Sequence, residues 1–411
     1  MPTFAYTFRD AMGTVRSGTS EAESAEILRK RLQEQGFTVT EVRQIRAQRP
    51  GGGWGRVKLS DLAIFCRQFS TMQDAGVSIV RSLDVLGQQT QSPKLRRIIM
   101  DIQAEVEAGQ TLSKAMSKYP NVFSNLFIGL IRAGEVGGVL EESLQRLASF
   151  LEADVALRRK VRAAMTYPTI VVIAALAIVI GLVTFILPKF FDVFKDLGIK
   201  EFPVMTQMLM DFSNFLTSRW YVMIAIVILV VIAFRMFVRT RIGRRLYDRL
   251  KLKLPVFGPL NHKIALARFS RTLSTLLSSG VPILQALETV AGTVANEIIA
   301  EAVMESRARI REGDRIGPPL EKSGMFPPMV VHMISIGEES GALDQMLSKV
   351  ADFYESEVES TLQSLTSAIE PVLIVLLGGM VGFIVISLLL PLITAVQSLA
   401  GGQAGGEAGG G

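Results

Sequence analysis

The chain has 411 residues, of which 49% are hydrophobic, 20% charged and 7% aromatic, and its formal net charge is +6. This composition excludes a disordered, collagen-like or coiled-coil chain and is too apolar for an ordinary soluble enzyme. The single cysteine, Cys66, excludes an internal disulfide framework, and two histidines leave little material for metal or acid–base chemistry. We therefore expect a soluble part joined to membrane spans.

Residues 1–45 predict a small α+β module. The segments FAYTFRD and TVRSGTSE form a predicted hairpin, an amphipathic helix ends at Gly36, and FTVTEVRQI forms a third strand. The glycine-rich residues 46–58 predict a flexible linker. This end of the chain is polar and lacks the apolar segment of a signal peptide, so we expect a cytoplasmic N-terminus.

Apolar residues at steps of three and four predict two helical bundles, which cover residues 59–162 and 239–370. The apolar positions are Leu62, Phe65, Phe69 and Met72 in the first bundle and Leu266, Phe269, Leu273 and Leu276 in the second. Gly76 and Gly280 are expected to end these helices. A phenylalanine-rich stripe could hold a cofactor, but core packing explains helical spacing better.

Three apolar runs predict transmembrane helices at residues 163–188, 219–238 and 371–396. Buried soluble helices are the alternative, and the length of the runs disfavours it. Lysine and arginine residues cluster before the first run and after the second, so the positive-inside rule places both bundles in the cytoplasm. It places a loop at 189–218 and a disordered, glycine-rich tail at 397–411 outside.

The basic clusters are also expected to attract anionic membrane lipid. A nucleic-acid partner is not predicted, because no aromatic residues interleave these clusters to stack on bases.

The bundle and its span occur twice. Phe65, Arg67 and Gly76-Val77 match residues 204 positions later, and after one deletion Pro168 and Leu187-Pro188 match residues 203 positions later. Equal phasing over such a length indicates a duplication. The middle span then returns the chain, so that both copies lie on one face of the membrane.

Motifs for catalysis are missing from the sequence. It has no phosphate-loop lysine motif, no HExxH and no GxSxG, so we predict no enzyme and no catalytic, cofactor-binding or metal-ligating residue. Glu135 in AGEVGGVL, and Glu338 and Glu339 in IGEESGALDQM, stand in glycine-rich corners. They are interpreted either as turn residues at the start of the following helix, which we prefer, or as acidic contacts for a basic partner.

The two copies, with RQFSTMQDAGVSI and SRTLSTLLSSGVPILQALE and the two corner motifs, resemble the inner-membrane platform proteins of type IV pili and type II secretion, the secretion F/PilC family. The resemblance covers residues 4–396, and LPVFGPLNHKIALARF is closer to the pilus branch. It implies a mainly α membrane protein with two repeated cytoplasmic helical bundles, three transmembrane helices and a small N-terminal α+β module.

The resemblance also implies a multi-pass scaffold of the inner membrane that couples a cytoplasmic motor to pilin polymerisation. The implied partners are a hexameric assembly or retraction ATPase, pilin subunits, inner-membrane alignment proteins and further copies of the chain. The alternatives are a platform for type II secretion or for a DNA-uptake pseudopilus. A solute permease needs polar residues at mid-membrane that the spans lack, and a signalling adaptor does not explain duplicated spans.

Overall fold

The computed structural model describes residues 3–9, 15–21, 26, 29, 38–45, 56–196, 202–255 and 257–406. The N-terminal residues form strands β1 (Thr3–Arg9), β2 (Val15–Glu21) and β3 (Thr38–Ile45). They make one antiparallel sheet in the order β2-β1-β3, with a register shift between Thr7 and Phe8. The predicted hairpin and third strand are therefore present. Most of the predicted helix and residues 46–55 of the linker lie outside the described residues.

The first copy is a bundle of helices joined by short turns. Its helices are α1 (Leu59–Asp74), α2 (Ile79–Gln89), α3 (Pro93–Glu107), α4 (Leu112–Ser117), α5 (Asn125–Gly137) and α6 (Leu140–Gly181). Helices α3, α4 and α5 begin behind serine or threonine side chains that accept a backbone N–H of the first turn. Gly76 follows α1 at φ 75°, a conformation that glycine adopts without strain, so this predicted helix end is confirmed.

The segment between the copies is mostly helical. A π-helical turn (Leu182–Ile186) leads from α6 into α7 (Leu187–Asp196), and α8 (Val204–Ser218) precedes α9 (Trp220–Arg239). The predicted external loop at 189–218 therefore contains the end of α7 and all of α8. The apolar residues of α8 recur at helical spacing and pack against the neighbouring spans, which explains why this stretch is not an open loop.

The second copy repeats the first. It begins with α10 (Arg241–Lys253) and continues with α11 (Phe257–Ser278), α12 (Ile283–Thr293), α13 (Glu297–Arg311), α14 (Gly317–Lys322), α15 (Pro328–Ser340) and α16 (Leu343–Gly406). The predicted core residues Phe65, Phe69, Phe269 and Leu273 are buried. The buried residues of both copies join in one cluster, so the two bundles pack against each other.

Bundle and span share a helix in each copy. The predicted boundaries at 162/163 and 370/371 fall inside α6 and α16, which continue through Pro168 and Pro371 without a break. Residues 397–406 of the predicted tail are helical, and residues 407–411 lie outside the described residues. The helices continue across these positions because extending an existing helix by one residue needs no new nucleus.

Candidate partner-binding surfaces

Each copy has a corner at which a glutamate binds the start of a short helix. The Glu135 carboxylate on α5 accepts hydrogen bonds from the backbone N–H groups of Leu112 and Ser113 at 2.5 and 3.1 Å, where α4 begins. In the second copy, Glu338 on α15 accepts from the N–H of Ile316, at the start of α14, at 2.9 Å. A carboxylate at a helix N-terminus satisfies unpaired donors and interacts favourably with the helix dipole.

These glutamates thus act on a helix that precedes them in the chain, whereas the turn interpretation placed them at the following helix. Both are half-buried by this contact. Glu339 differs, because 61% of its side chain is exposed and it pairs with Arg315 at 2.7 Å. Of the three predicted partner-contact residues, Glu339 is therefore the one whose charge faces solvent.

A glycine closes the same corner in each copy. A Cβ added to Gly134 would lie 2.6 Å from the Ser143 hydroxyl oxygen, and one added to Gly337 would lie 2.8 Å from the Leu343 Cα. Both distances are too short for real atoms, so α5 approaches α6, and α15 approaches α16, only because no side chain intervenes. The motif Gly-Glu therefore provides the close crossing and the helix cap together.

An arginine ties the first helix of each copy to the long helix. Arg67 on α1 donates two hydrogen bonds to the Glu152 carboxylate on α6, and this contact lowers the pKa of Glu152. Arg271 on α11 binds Glu355 and Asp352 on α16 at 2.9 and 2.6 Å. Both arginines stand out in the sequence because they match in the repeat. Their acidic partners lie more than 80 residues away, and nothing in the sequence around the arginines indicates these pairings.

Further ion pairs join the two copies. Asp154 on α6 binds Arg158 on its own helix at 2.9 Å and Arg268 on α11 at 3.1 Å, and Lys160 binds Glu359 on α16 at 2.6 Å. Burial lowers the pKa of the Arg268 guanidinium, and the charge of Asp154 opposes this effect. Asp154, Arg158 and Arg268 line a cleft of about 240 Å³ between the bundles. The contacts fix the position of one bundle on the other.

Three helices of the described chain are long and apolar enough to cross a membrane. The apolar stretches lie within Leu140–Phe194, Tyr221–Arg239 and Leu343–Thr394. The first and third are joined by α8, which places Leu209 in an apolar cluster with Val183 and Ile384. In contrast, the apolar window of α9 has no buried residue. The described membrane part therefore has a packed pair of spans and a separate middle span.

Two hydroxyl groups of α8 satisfy carbonyls that proline residues leave unpaired. Pro391 has no N–H to bond the Ser387 carbonyl one turn earlier, and the Thr206 hydroxyl donates to this carbonyl at 2.7 Å. In the π turn the N–H of Leu187 bonds the Leu182 carbonyl. The donor for the next carbonyl, that of Val183, would then be Pro188. The Ser213 hydroxyl donates to the Val183 carbonyl at 2.7 Å instead. Such pairing is what allows proline inside a membrane helix.

The described residues contain no group of three or more potential metal-ligating side chains. Cys66 is fully buried, and burial raises the pKa of its thiol, so it is an inert core residue. The His262 ring lies 2.7 Å from the Met325 carbonyl oxygen, whereas His332 is exposed on α15. The two histidines thus have different surroundings, one against a backbone carbonyl and the other in solvent.

A family model described as "Type II secretion system (T2SS), protein F" matches residues 65–188 and 269–391, and a model of the N-terminal domain of that family matches residues 1–43. The two matched blocks coincide with the repeat. Type IV pilus assembly protein PilC of Thermus thermophilus is 43% identical over 392 residues, which cover 93% of this chain and 95% of that protein.

Two further relatives are similar over comparable lengths. PilC of Myxococcus xanthus is 40% identical over 382 residues, covering 92% of this chain and 91% of that protein. Type II secretion system protein F of Vibrio cholerae is 34% identical over 388 residues, covering 93% and 95%.

Proposed function

Because this chain belongs to the type II secretion system protein F family, we propose that it is the inner-membrane platform of a type IV pilus assembly machine. The observation that carries the proposal is full-length similarity to proteins named for pilus assembly, at 43% and 40% identity. The second candidate is a platform for type II secretion or for a DNA-uptake pseudopilus, and the relative from Vibrio cholerae supports it at 34%. In either role the chain is a scaffold and not an enzyme.

We place the N-terminus and both bundles in the cytoplasm. Four cationic residues stand immediately before the first uncharged stretch, and a second group follows α9, as the positive-inside rule requires. Reporter fusions at residue 198 should report the outside of the membrane, and fusions at residue 297 the cytoplasm. The reverse pattern at either position would exclude this topology.

The continuous helices suit a role in transmitting force. Helix α6 has 42 residues and α16 has 64, which correspond to roughly 63 and 96 Å at 1.5 Å per residue. Each begins at a glutamate–glycine corner and continues into the membrane. Movement imposed at a corner would therefore reach the spans along one helix, without a loop in between.

On this basis we assign the hexameric motor ATPase to the bundles, pilin subunits and alignment proteins to the membrane part, and further copies of the chain to an oligomer. The corners with Glu135, Glu338 and Glu339 are the proposed motor contacts. Glu135 and Glu338 hold the corner in shape, and Glu339 presents the accessible charge. The proposed domains are those predicted from the sequence, and each bundle forms one mechanical unit with the span that continues its last helix.

Deletion of the chain tests the function. We expect loss of pili with normal type II secretion. Loss of secretion with normal pili would favour the second candidate, and normal pili together with normal secretion would exclude a platform role.

Glu339→Lys tests the motor contact, because reversing the charge adds repulsion to the lost attraction. Glu312→Lys, at a residue with a similarly exposed side chain, is the control. If the Glu339→Lys variant is folded and inserted in the membrane and pili still form as in the wild type, Glu339 does not contact the motor.

A further inference from the structure

A basic groove opens beside the cytoplasmic end of the first span. It has a volume of about 740 Å³ and lies between the start of α1 and the middle of α6. Its cationic residues are Arg56, Lys58, Arg158, Arg159 and Arg162. No aspartate or glutamate belongs to the lining, which otherwise includes apolar side chains such as Val57, Leu62, Val122 and Val155. The described groove is therefore positively charged at its rim and apolar within.

Most of this charge is not neutralised by the protein. Arg158 pairs with Asp154 at 2.9 Å. Within the part of the chain that the structure describes, the other four cations have no ion pair, and all four are exposed. Exposed like charges held close together repel each other, so a site with four of them favours an anionic ligand.

The depth of the groove matches that of lipid headgroups. The uncharged stretch of the span begins at Ala163, and Arg158, Arg159 and Arg162 precede it on the same helix. At 1.5 Å per residue these arginines lie within about 8 Å of the apolar boundary. The headgroup layer on each side of a bilayer is about 5–8 Å thick. The three guanidinium groups are therefore at the level of phospholipid phosphates.

The second copy does not have these three arginines. The residues 203 positions after Arg158, Arg159 and Arg162 are Thr361, Leu362 and Leu365. Leu362 and Leu365 are buried in an apolar cluster with Leu157 of the first copy and Leu260. The same helix face thus packs inside the protein in one copy and is basic and open in the other. Positive charge at the membrane boundary alone would not require this difference.

We propose that this groove binds the phosphate headgroup of an anionic phospholipid, with the apolar lining against the glycerol and upper acyl chain. A lipid fits the groove better than a free phosphate compound does, because the groove lies beside the span and is lined by both cationic and apolar side chains. It requires that the chain spans a membrane, and it does not depend on the pilus function.

The test is native mass spectrometry of the detergent-solubilised full chain, titrated with phosphatidylglycerol or with phosphatidylcholine of the same acyl chains. We expect phosphatidylglycerol to bind more tightly. The variant Arg56→Gln/Arg159→Gln/Arg162→Gln should bind it roughly 100-fold more weakly, since each cation near a lipid surface contributes about fivefold in affinity. Arg158 is left unchanged because it also holds Asp154.

Two matched variants control for overall charge and for folding. Arg97→Gln/Arg132→Gln/Arg311→Gln removes three exposed arginines elsewhere and should bind as the wild type does. The lysine version, Arg56→Lys/Arg159→Lys/Arg162→Lys, keeps the charge and should retain most of the binding. Equal binding of both lipids by the wild type would overturn the proposal whether or not the glutamine variant folds. The proposal would also be overturned if the control variant with Arg97→Gln lost as much affinity for phosphatidylglycerol as the groove variant does. Displacement of the lipid by inorganic phosphate alone would overturn it as well.

Discussion

Replacing Thr206 by valine should leave a backbone carbonyl without a donor inside the membrane part. Thr206 is fully buried, and its hydroxyl donates to the carbonyl of Ser387, which Pro391 cannot pair. Valine has nearly the same shape, so the change removes the hydrogen bond and preserves the packing. The change therefore removes one interaction between helix α8 and the third span.

The expected cost follows from what remains after the change. A buried unsatisfied polar group costs about 1–3 kcal/mol, and hydrogen bonds between membrane helices average about 0.6 with a maximum near 1.7 kcal/mol. We expect Thr206→Val to lower the free energy of unfolding by about 1–1.5 kcal/mol. In the background of Pro391→Ala, residue 391 has an N–H for the Ser387 carbonyl, and the same change should cost less than about 0.5 kcal/mol.

The measurement is reversible unfolding in mixed micelles, followed by far-UV circular dichroism as denaturing detergent is added. The four proteins of the double-mutant cycle give a coupling energy that cancels any packing change at residue 391. Thr217→Val is the control on the same helix: its hydroxyl bonds the carbonyl of Ser213 in its own helix, so no carbonyl loses its only donor. An equal cost of Thr206→Val with and without Pro391→Ala would refute the reasoning.

Three further outcomes are expected. Phe65→Ala should lower the unfolding free energy by about 3–5 kcal/mol, because this side chain is 2% exposed, whereas Ile64→Ala, at a side chain 58% exposed, should change little in the same denaturation assay. Gly337→Ala should destabilise by about 1–3 kcal/mol, because the new Cβ would lie 2.8 Å from a Cα of the next helix; thermal unfolding measures this. The hydrogen bond from Arg67 lowers the pKa of Glu152 below its ordinary 4.5, so its stabilisation is present above that pH and is lost as the pH falls through the lower folded value.

Each of these outcomes has a contradicting result. A loss below about 1 kcal/mol in Phe65→Ala would show that this ring is not a core residue. Unchanged thermal stability of Gly337→Ala would show that the corner has room for a side chain. If the stability of a Glu152→Gln variant falls at acid pH as that of the wild type does, the pair of Glu152 with Arg67 does not contribute to the loss of stability at acid pH.

The sequence predicted what depends on local pattern. Apolar residues at steps of three and four placed α1 and α11, Gly76 and Gly280 marked their ends, and uncharged runs marked the spans. The duplication was visible because glycine, proline and arginine residues recur at equal spacing in the two copies, and this spacing can be read from the sequence alone. These features need only the periodicity of a helix and the conformational freedom of glycine.

Contacts between distant residues could not be predicted in this way. Glu135 binds backbone groups 22 and 23 residues earlier, and Thr206 binds a carbonyl 181 residues later. Nothing in the local sequence gives these pairings, because the acceptors and donors are backbone atoms that every residue has. The continuity of bundle and span in one helix could not be predicted either: charge changes at residue 162, but helical hydrogen bonding does not.

The two copies agree at one end and differ at the other, and this pattern bears on how a partner would engage the chain. Both corners contain the Gly-Glu pair with the same cap, so one chain presents two related surfaces away from the membrane. At the membrane, the second copy uses Leu362 and Leu365 to pack against the first, whereas the first exposes Arg159 and Arg162 at the corresponding positions. If the corners meet the motor and the groove holds lipid, the first copy has a lipid contact that the second copy lacks on the corresponding helix face. Because Asp154 and Lys160 pair with the second copy and the two bundles share one core, a load applied at either corner would reach both long helices together.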